Sequence, residues 1–110
     1  MPSEAVLRKK AKDEILRQRG IVWFAPRVRY GIEKDIFGVY DCLLIYPPNV
    51  LIIPIQITTM GNVRARERKI KRFMKKFKVN IFSQIFAYDK KQKKFRVFNI
   101  YNAKIKATEN

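Results

Sequence analysis

The 110-residue chain contains no histidine and a single cysteine, Cys42. Lack of histidine excludes an imidazole general base, a Ser-His-Asp triad and any His-ligated zinc. One cysteine excludes an internal disulfide, and with no histidine beside it a structural zinc site as well. Cys42 sits in an apolar run and reads as a small packed side chain. Acidic residues are also scarce, 9 against 25 Lys and Arg, for a net charge of +16 and a pI near 10.3. Thermophile surfaces rich in charge enrich Glu together with Lys. An excess of one sign points instead to a polyanionic partner, DNA or RNA ahead of an anionic membrane surface. No signal peptide is evident and no apolar stretch is long enough to span a bilayer. The expectation is an intracellular protein of the cytoplasm, the nucleoid or a virus-infected host cell.

What is present is a core. Hydrophobic residues make up 47% of the chain, enough for one domain over 1–110, with 103–110 expected as a frayed tail. Ser3 can cap a first helix reaching Arg19, in which Leu7, Ala11 and Ile15 recur every four residues and Gly20 supplies the stop. Ile21 to Ala25 reads as a strand that continues to Val28. Two further β-prone runs, Val39–Tyr46 and Val50–Thr58, flank the turn residues Pro47-Pro48-Asn49 and read as a hairpin. Asn62 is a candidate cap for a second helix over 63–77. There Ile70, Phe73, Met74 and Phe77 form an apolar stripe, and nearly every other position is basic. Ile81–Tyr88 and Phe95–Tyr101 complete an α-β-β-β-α-β-β order, a mixed α/β sheet with helices packed against it. Trp23, between Val22 and Phe24, is expected in the core.

A turn centred on Pro48-Asn49 places Asp41 across from Gln56 and Val39 across from Thr58. Directly opposed side chains have Cβ atoms about 4.5–5.5 Å apart, so a carboxylate and a carboxamide would meet in an otherwise apolar hairpin. Burying Asp41 there is costly without a partner. It is either a functional group or half of a structural hydrogen-bonded pair with Gln56. Pro54 implies a bulge or an unpaired position near Gln56.

The element order, with an acid on the second strand and a polar position on the third, resembles the PD-(D/E)XK nuclease superfamily. Within it the likeness is to small archaeal Holliday-junction resolvases and their viral relatives. The family's G-x-P-D corresponds to Gly38-Val39-Tyr40-Asp41, and its E-x-K to Gln56-Ile57-Thr58. The resemblance implies a restriction-endonuclease-like αβββαββ fold and metal-dependent hydrolysis of DNA with Mg²⁺ or Mn²⁺, on branched or junction substrates. It also implies a symmetric homodimer, with Phe82, Phe86, Phe98 and Tyr101 serving either an interface or the core. By the same likeness Asp41 is the metal-binding aspartate, Gln56 stands at the second ligand position, and Thr58 replaces the lysine. That lysine is known to migrate to the following helix in some relatives, where Arg64, Arg66 or Lys69 can stand in for it. The resolvase glutamate of the first helix falls near Lys10, with Glu14 a weak substitute. Asp35 is a further candidate ligand, or a loop acid paired with Lys34 or Arg29.

Phosphate contacts are expected from Arg64, Arg66, Arg68, Lys71, Arg72 and Lys75 on the second helix. Arg27, Arg29 and Tyr30 extend the patch, with Tyr30 available for stacking. Two functions compete. One is a metal-dependent DNA endonuclease centred on Asp41 and Gln56, toward which the motif leans. The other is a nuclease-like module that binds DNA or RNA without efficient chemistry, as loss of both Glu and Lys from one motif suggests.

Overall fold

The first helix begins where the sequence places its cap. The computed structural model describes residues 3–24, 35–49 and 51–101 and the backbone of 104–107. The Ser3 hydroxyl accepts from the Val6 N–H at 3.2 Å, opening α1 (Glu4–Arg17). Leu7, Ala11 and Ile15 are its buried face. The helix ends two residues before the expected Arg19, which takes a left-handed conformation (φ 63°). Gly20 follows because a side chain there has no room. A Cβ would lie 2.7 Å from Ile15 Cγ2 and 2.9 Å from Tyr46 Cε1.

Among the described residues six strands form one sheet in sequence order: β1 (Ile21–Phe24), β2 (Cys42–Ile45), β3 (Ile53–Thr59), β4 (Ser83–Asp89), β5 (Lys94–Tyr101) and β6 (Lys104–Ala107). The first three pair antiparallel. Antiparallel neighbours can be joined by tight turns, whereas a parallel pair needs a crossover. That crossover is α2 (Val63–Phe77), which carries the chain from β3 to a parallel β4. β4, β5 and β6 are again antiparallel, so residues of the expected frayed tail form an edge strand. The proposed extension of β1 past Phe24 lies outside the described residues.

The hairpin register agrees with the sequence: Cys42 opposes Ile55, Leu43 opposes Pro54 and Leu44 opposes Ile53. The Asn49 N–H closes the turn on the Tyr46 carbonyl at 2.9 Å. β2 begins at Cys42 rather than Val39, and neither the Asp41–Gln56 nor the Val39–Thr58 pairing forms. The chain instead doubles back through Phe37 (φ 56°) and Gly38 (φ 72°), bridging Ile36 to Tyr40. Pro54 needs no parallel ladder bond, because the pairing with β4 starts one residue later at Ile55.

Helices cover the two sheet faces. α1 packs with Cys42, Leu44, Ile55, Ile57 and Phe86, and α2 sets Ile70 and Met74 against Tyr40, Ile85, Ala87 and Ile100. Phe86 is thus core, and Phe98 packs against the α2 cluster. Two aromatic expectations fail. Trp23 is 52% exposed and Phe77 57%. Val22 and Phe24 take the α1 side of β1, so alternation turns Trp23 to the opposite face, and α2 makes its sheet contacts with β3 and β4. Phe77 is the last residue of its helix, just before the left-handed Lys78. No helix among the described residues is long and apolar enough to cross a membrane.

Burial, reinforced by the neighbouring Asp41, pushes the Cys42 thiol up to about 12. Cys42 is therefore expected to resist iodoacetamide in the native protein and react only on unfolding, which mass spectrometry reads directly. Gly20→Ala is expected to lower stability by about 1–3 kcal/mol, the usual cost of overpacking, measured by urea unfolding.

Candidate functional site

Asp41 lies where the regular ladder between β2 and β3 breaks. Its N–H donates to the Ile55 carbonyl at 2.8 Å. Its carboxylate Oδ2 then accepts the Ile57 N–H at 2.7 Å, so a side chain serves as the strand partner at that point. Oδ1 accepts from Arg8 Nη2 at 3.0 Å. Both oxygens of a carboxyl that is only 4% exposed are therefore engaged. Burial pushes the Asp41 carboxyl above the usual range, opposed first by the Ile57 N–H and then by the Arg8 charge.

These groups open into a cleft of about 300 Å³ lined by Glu4, Arg8, Asp35, Asp41, Gln56 and Thr58, with Asn62 and Arg66 from the α2 end. The three proposed metal ligands, Asp41, Gln56 and Asp35, thus share one cleft, and Thr58 lines it as well, 3% exposed. Gln56 is equally buried, and its Oε1 has no hydrogen-bond partner among the described residues. Asp35 stands 3.9 Å from Arg8 Nη2 and 3.8 Å from Lys69 Nζ, which brings the nominated Lys69 to the cleft's rim. Arg64 is exposed and lines no part of the cleft. Glu14 is turned elsewhere, bonded to Arg17 and Gln18. Lys10 lies over the Tyr88 ring.

Sequence reasoning missed Arg8 and Glu4. They stand one helical turn apart and make an i,i+4 pair, 3.6 Å from Arg8 Nε to Glu4 Oε1. That spacing is visible in the sequence. The target of the guanidinium, across the fold on Asp41, is not. The Arg8 guanidinium also lies over the Phe24 ring at 5.4 Å.

A divalent metal of the kind the resemblance implies does not fit this arrangement as it stands. The Arg8 guanidinium already holds Asp41 Oδ1, and Oδ2 is committed to the backbone. Among the described residues no three of His, Cys, Asp and Glu are placed to hold a metal ion.

The outer face of α2 is different in kind. Arg64, Arg68, Arg72 and Lys76 recur every four residues and are exposed, with Lys75 beside them. At about 1.5 Å per residue the stripe runs about 18 Å. None of these five has an acidic partner among the described residues, whereas Lys71 is paired with Glu67 at 2.6 Å. Arg27, Arg29 and Tyr30 lie outside the described residues.

The raised Asp41 pKa carries a testable sign. A folded state that holds the proton more tightly loses stability as pH rises from the ordinary value of 3.8 through the raised one. Relative to Asp41→Asn, the wild type is expected to lose stability across that window and to run parallel above it, as chemical denaturation at stepped pH would show. Comparison of the chain with protein-family models, with curated proteins and with solved structures finds no match in any of the three.

Proposed function

We propose that the protein binds nucleic acid, DNA in the first instance, along the outer face of α2, with the Asp41 cleft beside it. The observation that carries this reading is the stripe Arg64, Arg68, Arg72 and Lys76, exposed and without acidic partners among the described residues. Cations left unpaired on a chain of net charge +16 repel one another, and neutralising phosphates relieves that repulsion while releasing counterions. An 18 Å stripe matches about five phosphate steps of one strand at about 3.4 Å each. Phosphate contacts of this kind give affinity and register without sequence preference.

The element order supports the resemblance to PD-(D/E)XK nucleases: an antiparallel β1–β2–β3 unit, a crossover helix, and a parallel β4. The second reading is therefore a metal-dependent endonuclease. It is favoured by the convergence of Asp35, Asp41 and Gln56, with Gln56 Oε1 unpartnered among the described residues. It requires Arg8 to leave Asp41, and Thr58 brings no charge to replace the family's lysine. The arrangement therefore favours binding over cutting.

Fluorescence anisotropy on single-stranded, duplex and four-way-junction DNA across a salt series tests the first reading. Arg68→Ala with Arg72→Ala is expected to flatten the slope of log K against log salt by about 2, roughly 1 for each phosphate no longer neutralised. An unchanged slope would remove α2 from the interface. Incubation of the same substrates with Mg²⁺ or Mn²⁺ is expected to leave them intact. Nicking that needs metal and vanishes in Asp41→Asn would establish the endonuclease instead.

A further inference from the structure

We propose that Arg8 is the resident cation of the Asp41 cleft and bars divalent ions from it, and that removing its charge exposes a divalent-cation site. The ligands of that site are Asp41 Oδ1, the Asp35 carboxylate and Gln56 Oε1, with Glu4 at the mouth. This holds whether or not the protein binds nucleic acid.

The charges define the position. Three carboxylates converge on one guanidinium: Arg8 Nη2 is 3.0 Å from Asp41 Oδ1 and 3.9 Å from Asp35 Oδ1, and Arg8 Nε is 3.6 Å from Glu4 Oε1. The Arg8 side chain is 11% exposed and the Asp41 side chain 6%, so neither charge is compensated by bulk water. The Phe24 ring braces the guanidinium, 5.4 Å from its carbon. A metal ion bonded to Asp41 Oδ1 at its usual distance of about 2.0–2.6 Å would lie against a fixed positive charge inside a poorly screened cleft.

The amide of Gln56 shows what the guanidinium leaves undone. Its residue is 3% exposed, it lines the same cleft, and its Oε1 has no donor among the described residues. A buried acceptor left unpaired is costly. Arg8 bonds Asp41 through Nη2, while its own buried Nε also lacks a hydrogen-bond partner among the described residues, and it does not satisfy the amide. Oxygen-only coordination by carboxylates and an amide carbonyl suits hard cations such as Mn²⁺, Mg²⁺ or Ca²⁺. The cleft thus carries a cation's ligands and a built-in competitor for the cation.

The test is Mn²⁺ binding followed by electron paramagnetic resonance of the free ion, with thermal unfolding in parallel, on wild type, Arg8→Gln and Arg8→Gln/Asp41→Asn. The wild type is expected to leave Mn²⁺ free and to melt at the same temperature with or without it. Arg8→Gln is expected to bind one Mn²⁺ with a dissociation constant of about 10⁻⁴–10⁻³ M, as for weaker oxygen-ligand sites. Its melting temperature should then rise with Mn²⁺, since a ligand of the native state alone stabilises it. The double variant should lose both effects. Should Arg8→Gln be unfolded without metal, Mn²⁺ is expected to restore its native circular dichroism, and failure to do so overturns the proposal. Equal Mn²⁺ affinity in wild type and Arg8→Gln, or a folded Arg8→Gln that binds none, overturns it as well.

Discussion

A carboxylate buried at the point where two strands part company is the constraint around which this fold is arranged. Asp41 completes the β3 ladder with its side chain, accepting the Ile57 N–H. Backbone donors left unpaired in a core are rarely tolerated, so the carboxylate is part of the sheet as much as of the cleft. It also brings a charge into a place that water barely reaches. Arg8 answers that charge from α1. Removing either partner of such a pair typically costs about 3–5 kcal/mol because the other is stranded. Asp35 then extends the network to Lys69 on α2. One chain of ion pairs therefore ties both helices to the end of the sheet.

The two populations of cations follow from that geometry. Those on the inner side of α2 and at the start of α1 meet carboxylates: Lys69 with Asp35, and Arg8 with Asp35 and Asp41. Those on the outer stripe meet none among the described residues. A protein of net charge +16 is not uniformly positive on this scale. Three of its nine acids, Glu4, Asp35 and Asp41, line one cleft, and none among the described residues pairs with the outer stripe, which leaves that helix face available to a polyanion. The cleft itself is charge-balanced and polar, a poor place for a phosphate without rearrangement and an occupied place for a metal.

The parts of the fold legible in the sequence are those set by local chemistry. The Ser3 cap, the bounds of α2 and the hairpin register all follow from nearest-neighbour rules: a hydroxyl before a helix, an apolar stripe of period 3.6, a turn of prolines and asparagine. The gathering of Asp41, Gln56 and Thr58 in one cleft follows from the hairpin, and Asp35 joins them only because the chain doubles back between Ile36 and Tyr40. Trp23 and Phe77 were not legible, because an apolar residue is buried only where another element arrives to cover it. The chain after β1 turns its second helix toward β3 and β4 instead. Lys104–Ala107, lysine-rich and short, carries no strand signal in its composition and is held by pairing along β5.

The sequence by itself determined an α/β domain with a strongly basic helix and the register of one hairpin, although the acid it set opposite Gln56 meets Ile55 and Ile57 instead. Charge balance, periodicity and turn chemistry are properties of residues close along the chain, and they survive without knowledge of the fold. Only the tertiary structure decided what Asp41 meets. Its partner Arg8 is 33 residues away, and nothing local to either residue encodes that distance. Desolvation and Coulomb attraction act through space. The pairing of Asp41 with a guanidinium was therefore made only when α1 docked on the sheet.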